Sequence, residues 1–277
     1  MTVITVFVSD LFFLSRLESV SETLGLDLVT IESPADLVPR GPATDPDQPG
    51  EALTGVDGAL IRLLSIDRPG LLVFDLNHDG VPWRRWIALV KSSSATRRIP
   101  ILAFGSHMDV ETMTAAREAG ADAVVARSRF TSELPHLIGK HLVRPDTDAI
   151  AAACTGPISE LAREGIALFN GGEYFEAHEV LEDAWNEDES AARELYRAIL
   201  QIAVAYLQIE RRNYRGAVKM LLRVRQWIDP LPDRCRGVDV AGLWADALAV
   251  EAELLRLGEE RIGELDTDRF QPVRILD

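Results

Sequence analysis

The sequence predicts an α/β domain built on a doubly wound, parallel five-stranded sheet, followed by an all-α domain, an antiparallel bundle of about five helices. Three observations carry this. Over the first 140 residues, short apolar runs alternate with segments whose apolar positions recur at helical spacing. From residue 158 to about 259 the period stays helical. Between them the stretch LVRPDTDAIAAACTGP, residues 142–157, mixes proline, aspartate and small residues and reads as a linker.

Residues 3–8 form the first apolar run, 11–25 the first helical pattern and 26–31 a second strand. Pro34, Pro39, Pro42, Pro46 and Pro49 then crowd a stretch that reads as a long flexible loop. A helix over 51–66 leads to a strand at 70–75, a helix at 83–92 and a strand at 99–104. A helix at 109–119, a strand at 123–126 and a helix at 131–141 complete the alternation. This domain is placed at 1–141.

The helical domain is placed at 158–260, with helices at 158–170, 173–187, 191–211, 213–228 and 239–258 and a C-terminal tail at 261–277. Gly171-Gly172, the acidic stretch 186–189, Arg212-Asn213 and the pair Pro230 and Pro232 separate the helices. Short connections imply antiparallel neighbours. Tyr174-x-x-Ala177 recurs as Tyr214-x-x-Ala217, each opening a helix that follows another, where a small Ala lets a neighbouring helix approach closely.

Composition narrows the function. The chain of 277 residues has a formal charge of −15, unevenly placed: residues 1–145 hold 14 Lys/Arg against 18 Asp/Glu, leaving 15 against 26 for the rest. Such a surface repels phosphate backbones and anionic lipid heads, so neither DNA, RNA nor membrane is an expected partner. No apolar run approaches a bilayer span, and MTVITVFVSD lacks the marks of a signal peptide. Two cysteines, Cys154 and Cys235, are too few for a disulfide framework, and a reducing cytoplasm is the expected compartment.

In open parallel sheets ligands bind beyond the carboxyl ends of the strands. Those ends supply Asp10, Asp75 and Asn77. Converging oxygen donors of this kind hold hard cations such as magnesium; alternatively the two acids start solvated turns. LLVFDLNHDG, RIPILAFGS and AREAGADAVVARS resemble the receiver domain of two-component response regulators, a flavodoxin-like fold, over most of 1–141. The resemblance puts Asp75 at the phosphoacceptor position, and Asp10 and Asn77 at the metal site. It also implies departures. The usual adjacent pair of acids is Ser9-Asp10, the switch hydroxyl falls at Gly105 with Ser106 beside it, and the Lys-Pro pair falls at Arg127-Ser128. Arginine keeps the charge as a planar fork, not as lysine's point charge. A degenerate receiver acting as a regulatory or dimerisation module is the favoured expectation, and a working phospho-switch the alternative.

In GEYFEAHEVLEDAWNEDE, His178, Glu182 and Trp185 fall at i, i+4 and i+7 and share one helix face, overlapped by a stripe of Phe175, Glu179 and Glu182. Histidine beside a carboxylate serves as metal ligand, general base or hydrogen-bonded structural pair. A zinc helix would need a second His where Glu182 stands, and no further His exists after residue 141. Arg197 and Gln201, one turn apart on the following helix, are candidate facing groups. The aromatic lead-in with His-Glu-x-x-Glu-x-x-Trp resembles the domain-of-unknown-function family 309 over about 160–245. That resemblance implies a small helical fold and a shared site, but no established reaction.

The expectation is a regulatory or interaction protein, more a binder than an enzyme, with a protein partner or a second copy as its target and no certain cofactor. The alternatives are an enzyme, metal or small-molecule site on Tyr174, His178, Glu179, Glu182, Trp185, Arg197 and Gln201, and a phospho-accepting regulator that uses magnesium at Asp75.

Overall fold

A computed structural model describes residues 2–37 and 54–276. The proline-rich stretch expected as a long loop lies, beyond Leu37, outside the described residues. The chain divides into two compact units, Met1–Arg144 and Pro145–Asp277.

In the first unit β1 (Thr2–Phe7), β2 (Leu26–Thr30), β3 (Leu71–Asp75), β4 (Ile101–Gly105) and β5 (Ala123–Ala126) form one parallel sheet in the order β2-β1-β3-β4-β5. That is the flavodoxin-like order, with its switch point between β1 and β3. Every residue of β3 and β4 is buried, as strands covered on both faces require. Phe13, Leu14 and Leu17 of α1 (Leu11–Leu24) and Phe130, Leu134 and Leu137 of α5 (Arg127–His141) cover one face, over Val6, Val73 and Phe104. Trp86 of α3 (Trp83–Ser92) meets the stacked pair Phe7–Phe74 on the other face, the one that α2 (Gly55–Asp67) and α4 (Val110–Glu118) also cover. Gly25, at φ 63°, ends α1 where an L side chain would be strained.

In the second unit α7 (Glu160–Asn170), α8 (Tyr174–Glu187), α9 (Glu194–Glu210) and α10 (Tyr214–Ile228) form successive hairpins around α9. Eleven of the 17 residues of α9 are buried, the mark of a helix with neighbours on most sides. Tyr174 and Tyr214 open α8 and α10, and Ala177 and Ala217 are both fully buried. Two residues before each tyrosine the chain turns through positive φ, at Gly172 (80°) and at Arg212 (57°). α11 (Val240–Leu257) closes the unit.

Three expectations need correction. Residues 142–157 are not all linker: 147–154 form α6 (Thr147–Cys154), capped by Asp146. Cys154 and Cys235 are joined as a disulfide across 81 residues, with Cys235 on a two-residue strand, β6 (Arg234–Cys235), paired to β7 (Val238–Asp239). Residues 261–277, expected as a C-terminal tail, pack against the helices of this unit. Ile262, Leu265 and Val273 are buried, Asn170 bonds both backbone groups of Val273, and Phe270 stacks on Tyr206 at 4.1 Å. Their apolar residues are too widely spaced to show any period.

Candidate functional site

Asp75 ends β3 and Arg127 begins α5, so both stand at the carboxyl edge of the sheet. One guanidinium nitrogen of Arg127, Nη2, donates to both Asp75 oxygens, at 3.1 and 3.0 Å. The carboxylate is 3% exposed, so its charge is compensated inside the protein rather than by water. The guanidinium also lies over the Phe13 ring, 5.4 Å from its centroid, which fixes the arginine from a second side. Asn77 donates its backbone N–H to Asp75 at 3.0 Å, and its side-chain oxygen accepts from the Ser106 N–H at 3.2 Å, tying the β3 loop to the β4 loop.

The other sequence candidates at this edge are engaged elsewhere. Asp10 is exposed and caps α1 by accepting from the Phe12 N–H. Ser106 Oγ accepts from Met108 N within its own turn. Gly105 is buried, and a Cβ there would sit 3.3 Å from the Cβ of Leu76, so a hydroxyl-bearing side chain would first displace Leu76. The set Asp10, Asp75 and Asn77 does not fit a divalent cation in this arrangement. One acid is a helix cap, and a guanidinium already spans both oxygens of the other. Among the described residues no three His, Cys, Asp or Glu side chains stand close enough to hold a metal.

His78 went unnoticed in the sequence. It is buried, and its Nδ1 accepts from Gly80 N at 3.2 Å and lies 3.1 Å from Ser9 Oγ. Acceptance at Nδ1 puts the proton on Nε2, which has no hydrogen-bond partner among the described residues. Nothing in the spacing of Asn77-His78 marked this histidine, since Ser9 is 69 residues away.

In the helical unit the candidates divide along α8. Tyr174, at its start, belongs to an aromatic cluster with Phe169, Tyr206 and Phe270. Burial, and then the Glu210 charge, push the Tyr174 phenol up to about 12. His178 and Glu182 are 3.9 Å apart, too loose for an orienting hydrogen bond; His178 is partly exposed, and Glu182 and Glu179 are exposed. Trp185, at the far end, stacks with cations. Arg193 lies 4.3 Å and Arg197 4.4 Å from its ring, and Arg197 also lies 3.7 Å from the Trp227 ring. The Arg197 guanidinium is thus held between two indoles contributed by α8 and α10. Gln201 is buried and its Oε1 has no hydrogen-bond partner among the described residues.

Beside this stack, Arg236 organises the turn after α8. It pairs with Asp188 at 2.6 Å, donates to Ser190 Oγ at 2.7 Å and bonds the Tyr196 hydroxyl. Burial alone would raise the Asp188 carboxyl. Hydrogen bonds from Ser190 and the charge of Arg236 outweigh it and hold the carboxyl below its ordinary value. Arg193, Trp227 and Arg236 come from separate elements, so no local pattern pointed to them. Flat cationic and aromatic surfaces suit stacking and anion recognition.

Residues 162–220 match the model of a family described as Domain of unknown function (DUF309). No curated protein matches the chain. Three solved structures are similar to about half of it. A candidate response regulator from Chloroflexus aurantiacus is 18% identical, covers 52% of this chain and 98% of its own, and has a TM-score of 0.39. The receiver domain of a DNA-binding response regulator from Colwellia psychrerythraea is 17% identical, with 50% and 97% covered and a TM-score of 0.38. The receiver domain of a sensor histidine kinase from Pseudomonas aeruginosa, with a magnesium ion in its active-site cleft, is 12% identical, with 50% and 96% covered and a TM-score of 0.38.

Proposed function

We propose that this is a non-catalytic regulatory protein in which a degenerate receiver unit is coupled to a helical binding module. The observation that carries the reading is the Asp75–Arg127 pair. A phosphoacceptor must be an accessible nucleophile beside a cation that the phosphoryl group can share. Here the carboxylate is buried and both its oxygens already accept from a permanently charged guanidinium. Adding a phosphoryl group requires this pair to open, with Arg127 swung away from Phe13. Gly105 supplies no hydroxyl to compensate.

The partner of such a protein is another protein or a second copy of this chain, in the cytoplasm. The net charge of −15 disfavours nucleic acid and anionic lipid, and no helix among the described residues is long and apolar enough to cross a membrane. The test is exposure of the full chain to acetyl phosphate and magnesium, followed by intact-mass measurement. No phosphorylated species is expected. Stoichiometric modification at Asp75 would overturn the reading in favour of a working response regulator.

A second reading, a small polar ligand bound at the Trp185–Arg197 stack, is favoured by the Trp185 Nε1 and Gln201 Oε1 atoms, both buried without a hydrogen-bond partner among the described residues. Buried polar atoms of this kind cost stability unless something satisfies them. Native mass spectrometry of the freshly purified chain checks it: an adduct lost in Trp185→Ala supports the reading, and a bare mass removes its support.

A further inference from the structure

The helix α6 is unusual in how little holds it. It has eight residues, and only one of them, Cys154, is buried. Isolated helices below about 12–15 residues are marginal in water, so α6 depends on its attachments. Those attachments are few. Asp146 caps its first turn through Ala149 N, it packs on the 3-10 turn Ala191–Arg193, the backbone N–H of Arg236 donates to the Cys154 carbonyl at 2.7 Å, and the disulfide joins Cys154 to Cys235. The covalent bond and its adjoining hydrogen bond reach the same β6–β7 hairpin.

The two cysteines are both buried but differ in their surroundings. Cys235 is 0% exposed, whereas Cys154 lines an open cavity of about 380 Å³ together with Ala151, Thr155, Pro232, Arg234 and Gly237. Cys154 is itself only 6% exposed, but it borders this cavity and Cys235 does not, so Cys154 is the side from which a small thiol would come. Disulfides in reducing compartments are rare and, where present, usually transient or redox-sensing.

We propose that Cys154 and Cys235 form a reversible thiol–disulfide exchange site, whose state decides whether residues 147–154 are a docked helix or free chain. The substrate class is a dithiol reductant. Its thiolate attacks Cys154 Sγ from the cavity. A mixed disulfide forms as the Cys154–Cys235 bond breaks, and Cys235 leaves as a thiolate that takes up a proton. The reductant's second thiolate then attacks its own sulfur in the mixed disulfide and releases Cys154, which is protonated in turn. The pair gains two electrons and two protons, and the reductant becomes a disulfide.

Release of α6 turns residues 147–154 back into what their composition describes, part of a linker over 142–157. Unwinding eight residues adds about 15 Å of reach at full extension. The change reaches the turn beside the aromatic–cation stack as well. The residue after Cys235 is Arg236, which holds Asp188 and Ser190, and α6 packs on the turn that carries Arg193 over Trp185. This inference rests on the proposed cytoplasmic location and on the helical unit, and does not depend on how Asp75 behaves.

The test uses the full chain, oxidised, treated with dithiothreitol, and reoxidised. Thiols are counted with and without denaturant, and backbone amide exchange is followed by mass spectrometry. Two thiols per chain are expected after dithiothreitol without denaturant. Exchange over 147–154 should be at least about tenfold faster, with 194–228 unchanged and protection regained on reoxidation. Cys154→Ala, with a single thiol, should match the amide exchange of the reduced form under all three conditions. Four results overturn the proposal: free thiols that never oxidise, thiols released only in denaturant, an α6 still protected after reduction, or loss of protection throughout the helical unit.

Discussion

Arg127 Nη2 sits 3.1 and 3.0 Å from the two oxygens of Asp75, joining the end of β3 to the start of α5 across 52 residues. Removing one partner of a buried ion pair costs about 3–5 kcal/mol, because the other charge stays buried and alone. Arg127 is 38% exposed, so solvent screens its side of the pair and the figure for Arg127→Ala falls to about 1–2 kcal/mol. Adding Asp75→Asn removes the stranded charge, and the double variant should recover most of the loss. Urea midpoints of the two variants check this. If the double variant is no more stable than the single one, Asp75 is not charged against Arg127.

The stack of Arg197 between Trp185 and Trp227 gives a second prediction. Arg197→Lys keeps the positive charge but lacks the flat face that meets both rings. A loss of about 1–2 kcal/mol is expected, with a change in tryptophan emission, while Arg197→Ala should lose more. Equal stability of the wild type and the Lys variant would show that charge alone, without stacking, accounts for the contact.

What could be read in advance followed the range of the interactions. All five strands are local apolar runs and the main helices carry local periods, and they stand within a few residues of where the sequence put them. The echo of Tyr174 and Tyr214 was legible because it repeats within one sequence. The disulfide, the hairpin of Arg234–Cys235 with Val238–Asp239, and the packing of Phe270 on Tyr206 were not, since each involves at least one segment with no pattern of its own. α6 was hidden by Pro145 before it and Thr155-Gly156-Pro157 after it, which read as linker whatever lies between. At the sheet edge Asp75 and Arg127 were singled out, but their bond needed the fold. On α8 the spacing joined Tyr174 to Trp185, although they sit in separate clusters about 16 Å apart along the axis.

Close helix packing yields a third prediction. A Cβ on Gly165 of α7 would stand 2.6 Å from Cγ of Leu181 on α8. Alanine is worth about 1 kcal/mol over glycine within a helix, but overpacking a tight core costs about 1–3 kcal/mol. Gly165→Ala should therefore destabilise the helical unit despite its better propensity. Thermal melts followed by circular dichroism decide the sign, and a higher melting temperature would mean that α8 moves aside freely.

The last prediction concerns Tyr206, which is fully buried, stacked on Phe270 at 4.1 Å, and has no hydrogen-bond partner for its hydroxyl among the described residues. Burial raises its pKa far above the ordinary 10.0 of a tyrosine, and Tyr174 beside it is raised to about 12. Both phenols thus hold their protons more tightly in the folded chain than in the unfolded one. Below the unfolded value their contribution to stability is complete. Above it the unfolded chain sheds protons that the folded chain keeps, so stability falls from about pH 10 towards pH 12. Tyr206→Phe removes an unsatisfied buried hydroxyl while keeping the ring stack, so at neutral pH it should be neutral or more stable by up to about 1 kcal/mol. The variant should also lose less stability on going from about pH 9 to about pH 11, with the remaining slope due to Tyr174. Urea denaturation at those two values measures both effects, and a variant less stable at neutral pH by more than about 1 kcal/mol would mean that the hydroxyl is bonded after all.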